Sequence, residues 1–406
     1  MEVSLKSNID IKNIRSEVLA FGLFEDEAKL PSFVEKIDSK INKQISFLLS
    51  KKIFIPKAGQ SVIITTNGLL PQKYIVLLGF GKRIKFDLEA IRIVSAEIVK
   101  QTKKIKEKSV AFLSFPLNSV IGNSPFDALK TFFETLFLRN HILKNYKSAK
   151  KDDFEKEIQV DSFVLFSDET DMKVFNNALS VARIFANAAN KTRDFVNMPS
   201  NFLTPKVFSE EAKKICSASK LKLKIINFNE IKRLKMGAIW GVGKGSNNLP
   251  VVLLIEWNGA KTNSKPMALI GKGVTFDSGG ISLKPSKKMD EMKEDMAGAA
   301  AVLFAMEAIS KMKLKKNVFA VIPLVENMPS GGALKPGDIV ETMSGKTVEI
   351  ISTDAEGRLI LADAITYAKK LGAEKILDFA TLTGACIVAL GDIASAIIGN
   401  NKEFIE

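Results

Sequence analysis

Three short polar clusters in the second half of this 406-residue chain hold residue types that could do chemistry. The first is Gly271-Lys272-Gly273-Val274-Thr275-Phe276-Asp277-Ser278-Gly279-Gly280, followed by Lys284. Its glycines would let a ligand approach the backbone closely. The second, Lys293-Glu294-Asp295-Met296-Ala297-Gly298, opens a helical stretch, where a single acidic residue is ordinary dipole complementation. The third, Ser352-Thr353-Asp354-Ala355-Glu356-Gly357-Arg358, follows a strand-like run. Asp354 and Glu356 share one side if the backbone stays extended, with Gly357 breaking the strand. Each cluster alone reads as a capped turn. Together they supply three Asp, one Glu and two Lys that could line one pocket. Packed carboxylates repel one another unless cations neutralise them, so the natural occupant is a pair of divalent metals. Oxygen-rich ligation suits Mg or Mn, and Zn also accepts carboxylates. A lysine can act as a ligand only when neutral, which burial and neighbouring cations favour.

Composition narrows the chemistry further. With one histidine, His141, the chain cannot build a His-rich zinc site, and a Ser-His-Asp triad is a poor fit. Two cysteines, Cys216 and Cys386, exclude a disulfide scaffold and are expected to be buried thiols in a reducing compartment. The formal charge is +14, and residues 51–150 carry most of the excess, with 18 Lys and Arg against 6 Asp and Glu. His141 lies in a basic stretch and reads as a surface helix residue, while Trp240 and Trp257 read as core or interface residues.

Strands alternating with amphipathic helices must position the clusters. Lys73–Phe80 reads as a strand and Phe86–Lys104 as a helix, which makes the first third α/β. In the second part, Val251–Trp257, Met267–Val274, Asn317–Val325, Lys346–Ser352 and Lys375–Thr383 read as strands. Met289–Met312 and Leu359–Leu371 read as helices. Such alternation implies a sheet covered by helices on both faces, with chemistry at the carboxyl ends of strands. The charged run Lys144–Glu157 marks a boundary. The expected domains are an N-terminal α/β domain over 1–155, a linker with a connecting helix over 156–190, and a catalytic domain over 191–406. Ala380–Gly399 is apolar enough to suggest a membrane span, but Asp392 and its glycines favour a buried strand-turn-helix. The opening residues lack a signal peptide's apolar stretch, so the expected location is cytoplasmic.

The run Ser352–Leu361 (STDAEGRLIL) resembles the NTDAEGRL signature of the leucine aminopeptidase family, the cytosol aminopeptidases. Gly271–Pro285, Glu294–Ala300, Glu326–Ile339 and Asp378–Ala385 are similar to its other blocks, in order, and Arg193–Pro205 to the block that opens its catalytic domain. The resemblance implies a macro-like N-terminal α/β domain and a catalytic α/β domain with a mixed, mostly parallel sheet flanked by helices. It implies two divalent metals, Mn or Zn. Lys272, Asp277, Asp295 and Glu356 would hold one; Asp277, Asp354 and Glu356 would hold the other. Lys284 would stabilise the oxyanion, and Arg358 would hold a bicarbonate acting as general base. Met292, Thr381 and Gly384 would line the substrate pocket. The implied reaction releases N-terminal residues, leucine-like ones preferred, from peptides, in a homo-hexamer without membrane attachment. Ser352 stands where the family carries Asn, and family chains usually continue beyond the position of Glu406, so a shortened C-terminal part is expected.

Other readings weigh less. Gly241–Ser246 and Ser344–Thr347 brush against phosphate-loop patterns, but neither completes G-x-x-x-x-G-K-[ST]. The basic N-terminal third could instead contact DNA in a weakly active or inactive family member that acts in binding or assembly, although a solvated basic surface explains the charge more simply.

Overall fold

The structure, a computed structural model, describes residues 1–7, 13–113, 115–117, 120–144, 146, 157–260 and 264–406. Two compact units emerge, Met1–Asn190 and Lys191–Glu406. The first contains strands β1 (Glu2–Lys6), β2 (Val18–Phe24), β3 (Ser61–Thr65), β4 (Tyr74–Gly81), β5 (Ser109–Leu113) and β6 (Ser162–Phe166). They form one sheet in the order β1-β6-β5-β2-β4-β3, parallel except for the β3–β4 pair.

Strand periodicity explains how this sheet is buried on both faces. Successive side chains point to opposite sides. Val18, Ala20, Val76, Leu78, Val110 and Phe112 enter one core, beneath helices Leu88–Lys104 and Pro125–Asn140. Leu19, Phe21, Ile75, Leu77, Ala111 and Leu113 enter the other, with Ser32–Lys40. Helix starts carry their own signals. Asp87 accepts a hydrogen bond from Ala90 N, and Ser124 and Asp127 close a capping box ahead of Pro125.

Within the stretch 156–190, expected to connect the two parts, β6 instead forms an interior strand of the first sheet. The expected boundary at 144–157 lies almost wholly outside the described residues. His141 follows the helix as its C-cap rather than lying within it.

The second unit begins its sheet with β7 (Lys222–Ile226), β8 (Val251–Asn258), β9 (Met267–Gly271), β10 (Gly273–Asp277) and β11 (Asn317–Asn327). A separate ribbon pairs β12 (Ile339–Glu341) with β13 (Thr347–Glu349), and β14 (Lys375–Phe379) rejoins the main sheet. The order is β14-β9-β11-β8-β7, with β10 also on β11. The β14–β9, β9–β11 and β10–β11 pairs are parallel; β8 and β7 complete the sheet antiparallel. Val252, Leu254, Ala268, Ile270, Phe319 and Val321 face helices Gly237–Gly243 and Glu356–Lys370. Helices Pro205–Ala218 and Ala297–Lys311 pack on the other side.

Several local expectations are corrected. Met267–Val274 is not one strand but all of β9 and the start of β10, broken at Lys272. The run Lys346–Ser352 yields only β13, away from the main sheet. Met289–Glu294 is a 3₁₀ turn that precedes the α-helix. Ala380–Gly399 does form a turn and a short helix, Ala385–Leu390, after β14. It is exposed rather than buried, with Val388 at 90% and Ile393 at 93%, and it follows β14, an edge strand whose outer side pairs with no other described strand. Cys386, expected to be buried, is exposed in this segment, whereas Cys216 is buried and its thiol is pushed up to about 11 by burial. Among the described residues no helix is long and apolar enough to cross a membrane.

Candidate metal centre

The interruption between β9 and β10 places the first functional side chain. Lys272 N donates to Phe379 O on β14, and Lys272 O accepts from Ala299 N in the first turn of helix Ala297–Lys311. These bonds satisfy the backbone at the break and leave the side chain inside, with 2% exposure. Its Nζ lies 2.7 Å from Asp295 Oδ1, 3.0 Å from Glu356 Oε1 and 2.8 Å from the carbonyl of Thr381. Asp295 comes from the turn just before that helix, and Thr381 Oγ1 also donates to its Oδ1, at 2.7 Å.

Asp277 ends β10 and is 2% exposed. Its Oδ1 accepts from Gly279 N and from Asn327 Nδ2, both at 2.9 Å, which leaves Oδ2 to face Lys284 Nζ at 2.9 Å. Lys284 also reaches Asp354 Oδ1 at 2.5 Å. The loop between them bends back through Gly279 and Gly280, at φ +86° and +71°, a region side chains rarely adopt.

The Asp354–Glu356 pair is brought together by a different route from the one the spacing suggests. Glu356 does not continue a strand; it is the first residue of helix Glu356–Lys370, and Gly357 sits inside that helix rather than ending a strand. Carboxylate oxygens of Asp277, Asp354 and Glu356 nevertheless lie within 4.8 Å of one another.

The electrostatics follow from burial and mutual proximity. Burial opposes charge on Lys272, but Asp295 and Glu356 outweigh it and hold the ammonium above the usual lysine range. This reverses the expectation of a depressed lysine, because the ammonium is itself the cation those carboxylates face. Lys284 is raised likewise: burial is outweighed by its bonds to Asp354 and Asp277. Burial pushes Asp295 up to about 7, against the opposing pull of Lys272. Glu356 is raised by burial first, then by the nearby Asp277 charge, with Lys272 opposing.

Two buried oxygens, Asp295 Oδ2 and Glu356 Oε2, have no hydrogen-bond partner among the described residues. Native proteins rarely leave such atoms orphaned. An oxygen-rich cage with unsatisfied carboxylate atoms fits divalent cations, so the donor set and its vacant acceptors agree.

The remaining expected positions are distributed unevenly. Met292 is half-buried on the turn next to Asp295. Arg358 is exposed in the first turn of helix Glu356–Lys370 and has no ion-pair partner among the described residues. Gly384 precedes the exposed helix Ala385–Leu390, and a Cβ built on it would meet no described atom within 4 Å. Ser352 Oγ accepts from Asp354 N at 3.3 Å. Asn327 and Thr353 stand beside the ligand candidates; they lie in the runs Glu326–Ile339 and Ser352–Leu361, but sequence alone assigns neither a role.

Comparison with known proteins agrees along nearly the whole chain. The catalytic-domain profile of the cytosol aminopeptidase family matches residues 190–406, and its N-terminal-domain profile matches 20–150. A probable cytosol aminopeptidase of Alkaliphilus oremlandii is 39% identical over 396 residues, covering 98% of this chain and 79% of the relative. One from Clostridium perfringens is 39% identical, covering 97% and 78%. Among solved structures, a mutant tomato leucine aminopeptidase superposes with a TM-score of 0.80 at 30% identity, covering 96% of this chain and 76% of that one. The bottromycin maturation enzyme BotP, solved in complex with Mn, gives 0.76 at 27% identity, covering 93% and 74%.

Proposed function

The chain belongs to the cytosol aminopeptidase family, and from that premise we propose that its carboxylate–lysine cluster holds two divalent metal ions for the release of N-terminal residues from peptides. The protein is a hydrolase of the aminopeptidase class. In the proposed arrangement Lys272, Asp277, Asp295 and Glu356 hold one ion, and Asp277, Asp354 and Glu356 hold the other. Mn or Zn suits this donor set. Bound there, such a pair supplies electrophilic activation of a carbonyl and a water acidified toward neutral pH.

The observation that carries this reading is the pair of orphaned buried oxygens, Asp295 Oδ2 and Glu356 Oε2, beside a three-carboxylate cluster. The chain's own residues have distinct tasks. Lys284, partly exposed at the edge of the cluster, places a positive charge where a developing oxyanion needs stabilisation. Arg358, without a carboxylate partner among the described residues and at a helix N-terminus, suits a small anion, and we assign it a bicarbonate that accepts the proton of the attacking water. Met292, Thr381 and Gly384 are assigned to the substrate pocket, with leucine-like side chains preferred. Homo-hexameric assembly and a cytoplasmic location complete the proposal.

Hydrolysis of leucine p-nitroanilide tests it. Turnover that chelator removes and Mn or Zn restores is expected, with Asp354→Ala abolishing it in a chain that still folds. Turnover unaffected by chelator would overturn the metal assignment.

A further inference from the structure

Asp277 can serve two metal ions only if its carboxylate plane is held, and the groups that hold it lie outside the ligand set. One of its oxygens, Oδ1, accepts from Gly279 N and Asn327 Nδ2, which sets the plane in which Oδ2 faces Lys284. Asn327 ends β11, is 4% exposed, and uses its second amide hydrogen on the carbonyl of Thr353 at 3.0 Å. Both acceptors are oxygens without a proton to give, so the amide nitrogen must face them; the assignment is chemically forced. The main-chain carbonyl of Asn327 accepts from Ser278 N and Ser278 Oγ, at 3.1 and 2.7 Å.

Thr353 closes the circuit. It is 2% exposed, its Oγ1 donates to Gly279 O at 2.6 Å, and the same oxygen accepts from Ser282 N at 2.8 Å. Thr353 N donates to Ser282 Oγ at 3.1 Å. The 277–284 loop, carrying Asp277 and Lys284, is thereby tied to the 352–356 loop, carrying Asp354 and Glu356. Space is tight as well: a Cβ on Gly280 would lie 2.7 Å from Asn327 Oδ1 and 3.0 Å from Thr353 Oγ1.

We propose that Asn327 and Thr353 are positioning residues, a buried hydrogen-bonded tie that fixes the two ligand loops against each other and orients Asp277 as a shared ligand. The proposal rests on the two-metal reading above. Partners that orient a metal ligand are worth about 10–100-fold in affinity or activity when removed. Asparagine is specifically required at 327, because an aspartate there would set a second carboxylate against Asp277 and a carbonyl.

The test uses Asn327→Asp, Thr353→Val and Thr353→Ser in the full chain. Mn binding to chelator-treated protein is followed by calorimetry, kcat and KM are measured, and hydrogen exchange over 277–284 is read without metal. Asn327→Asp and Thr353→Val should lower affinity for at least one of two Mn equivalents by about tenfold or more, lower kcat more than KM is raised, and speed exchange at Ser282. Thr353→Ser, which keeps the hydroxyl, should restore all three readouts. Unchanged Mn affinity and exchange in both disruptive variants would overturn the proposal, as would a loss of thermal stability alone. If the unaltered chain binds fewer than two Mn, the two-metal reading fails, and exchange over 277–284 still decides whether the tie exists.

Discussion

Gly357 and Lys272 approach so closely that a Cβ on the glycine would lie 2.7 Å from Lys272 Cε and 2.9 Å from its Nζ. Gly357 lies in a helix at ordinary helical backbone angles, so the glycine is needed for space rather than for conformation. On helix propensity alone Gly357→Ala should stabilise the protein by about 1 kcal/mol. Lys272 has three acceptors around Nζ and is 2% exposed, so the methyl must shift its end away from them. The expected outcome is at least about tenfold weaker Mn binding and correspondingly lower turnover, the size seen when a ligand's support is disturbed, in a protein that melts near the unaltered temperature. Calorimetry and a melting curve check it; full Mn affinity in Gly357→Ala would show that Lys272 is not a ligand.

Lys284 lies between Asp277 and Asp354 at the edge of the cluster. Lys284→Met keeps the stem and removes the charge. If the ammonium stabilises the oxyanion, kcat should fall about 10²–10³-fold, as for loss of an oxyanion donor, with KM little changed. In chelator-treated protein the same variant should melt lower, because two carboxylates lose the cation that faces them. Steady-state kinetics and melting with and without Mn separate the two effects.

The pH dependence of the metal-free protein has a definite sign. Burial raises Asp295 from 3.8 to about 7. A carboxyl whose folded-state pKa is raised contributes stability that is fully present below its unfolded value and is lost as pH rises through the folded value. Chelator-treated protein should therefore melt progressively lower between about pH 4 and 7 and level off above that, and Mn should oppose the slope by favouring the ionised carboxylate. In chelator-treated protein Asp295→Asn should remove most of this slope, leaving the smaller part that raised Glu356 contributes. Melting temperatures across that pH range provide the check.

Much of the site was legible because its ligand candidates sit at strand ends and helix starts, where apolar runs give way to polar residues. Asp277 does end a strand and Asp295 does stand just before a helix, as that pattern suggests. The expectation for Asp354 and Glu356 reached the right neighbours through the wrong geometry: alternation suggested a strand, but Glu356 starts a helix whose apolar face, Leu359 to Ala368, is buried against the sheet. The break at Lys272 was invisible because β9 and β10 read as one apolar run, although they pair with β11 at separate registers. Asn327 and Thr353 were missed for a different reason. Their partners lie 26 to 74 residues away, and no local pattern encodes a hydrogen bond that only the sheet topology assembles.

The most direct test of the account is a Mn titration of the chelator-treated chain, with binding stoichiometry and leucine anilide hydrolysis measured on the same samples. Two Mn per chain are expected, with turnover rising as the second is bound and both sites weakened by Asp277→Ala. A single Mn supporting full turnover, or two Mn bound with Asp277→Ala still active, would contradict it.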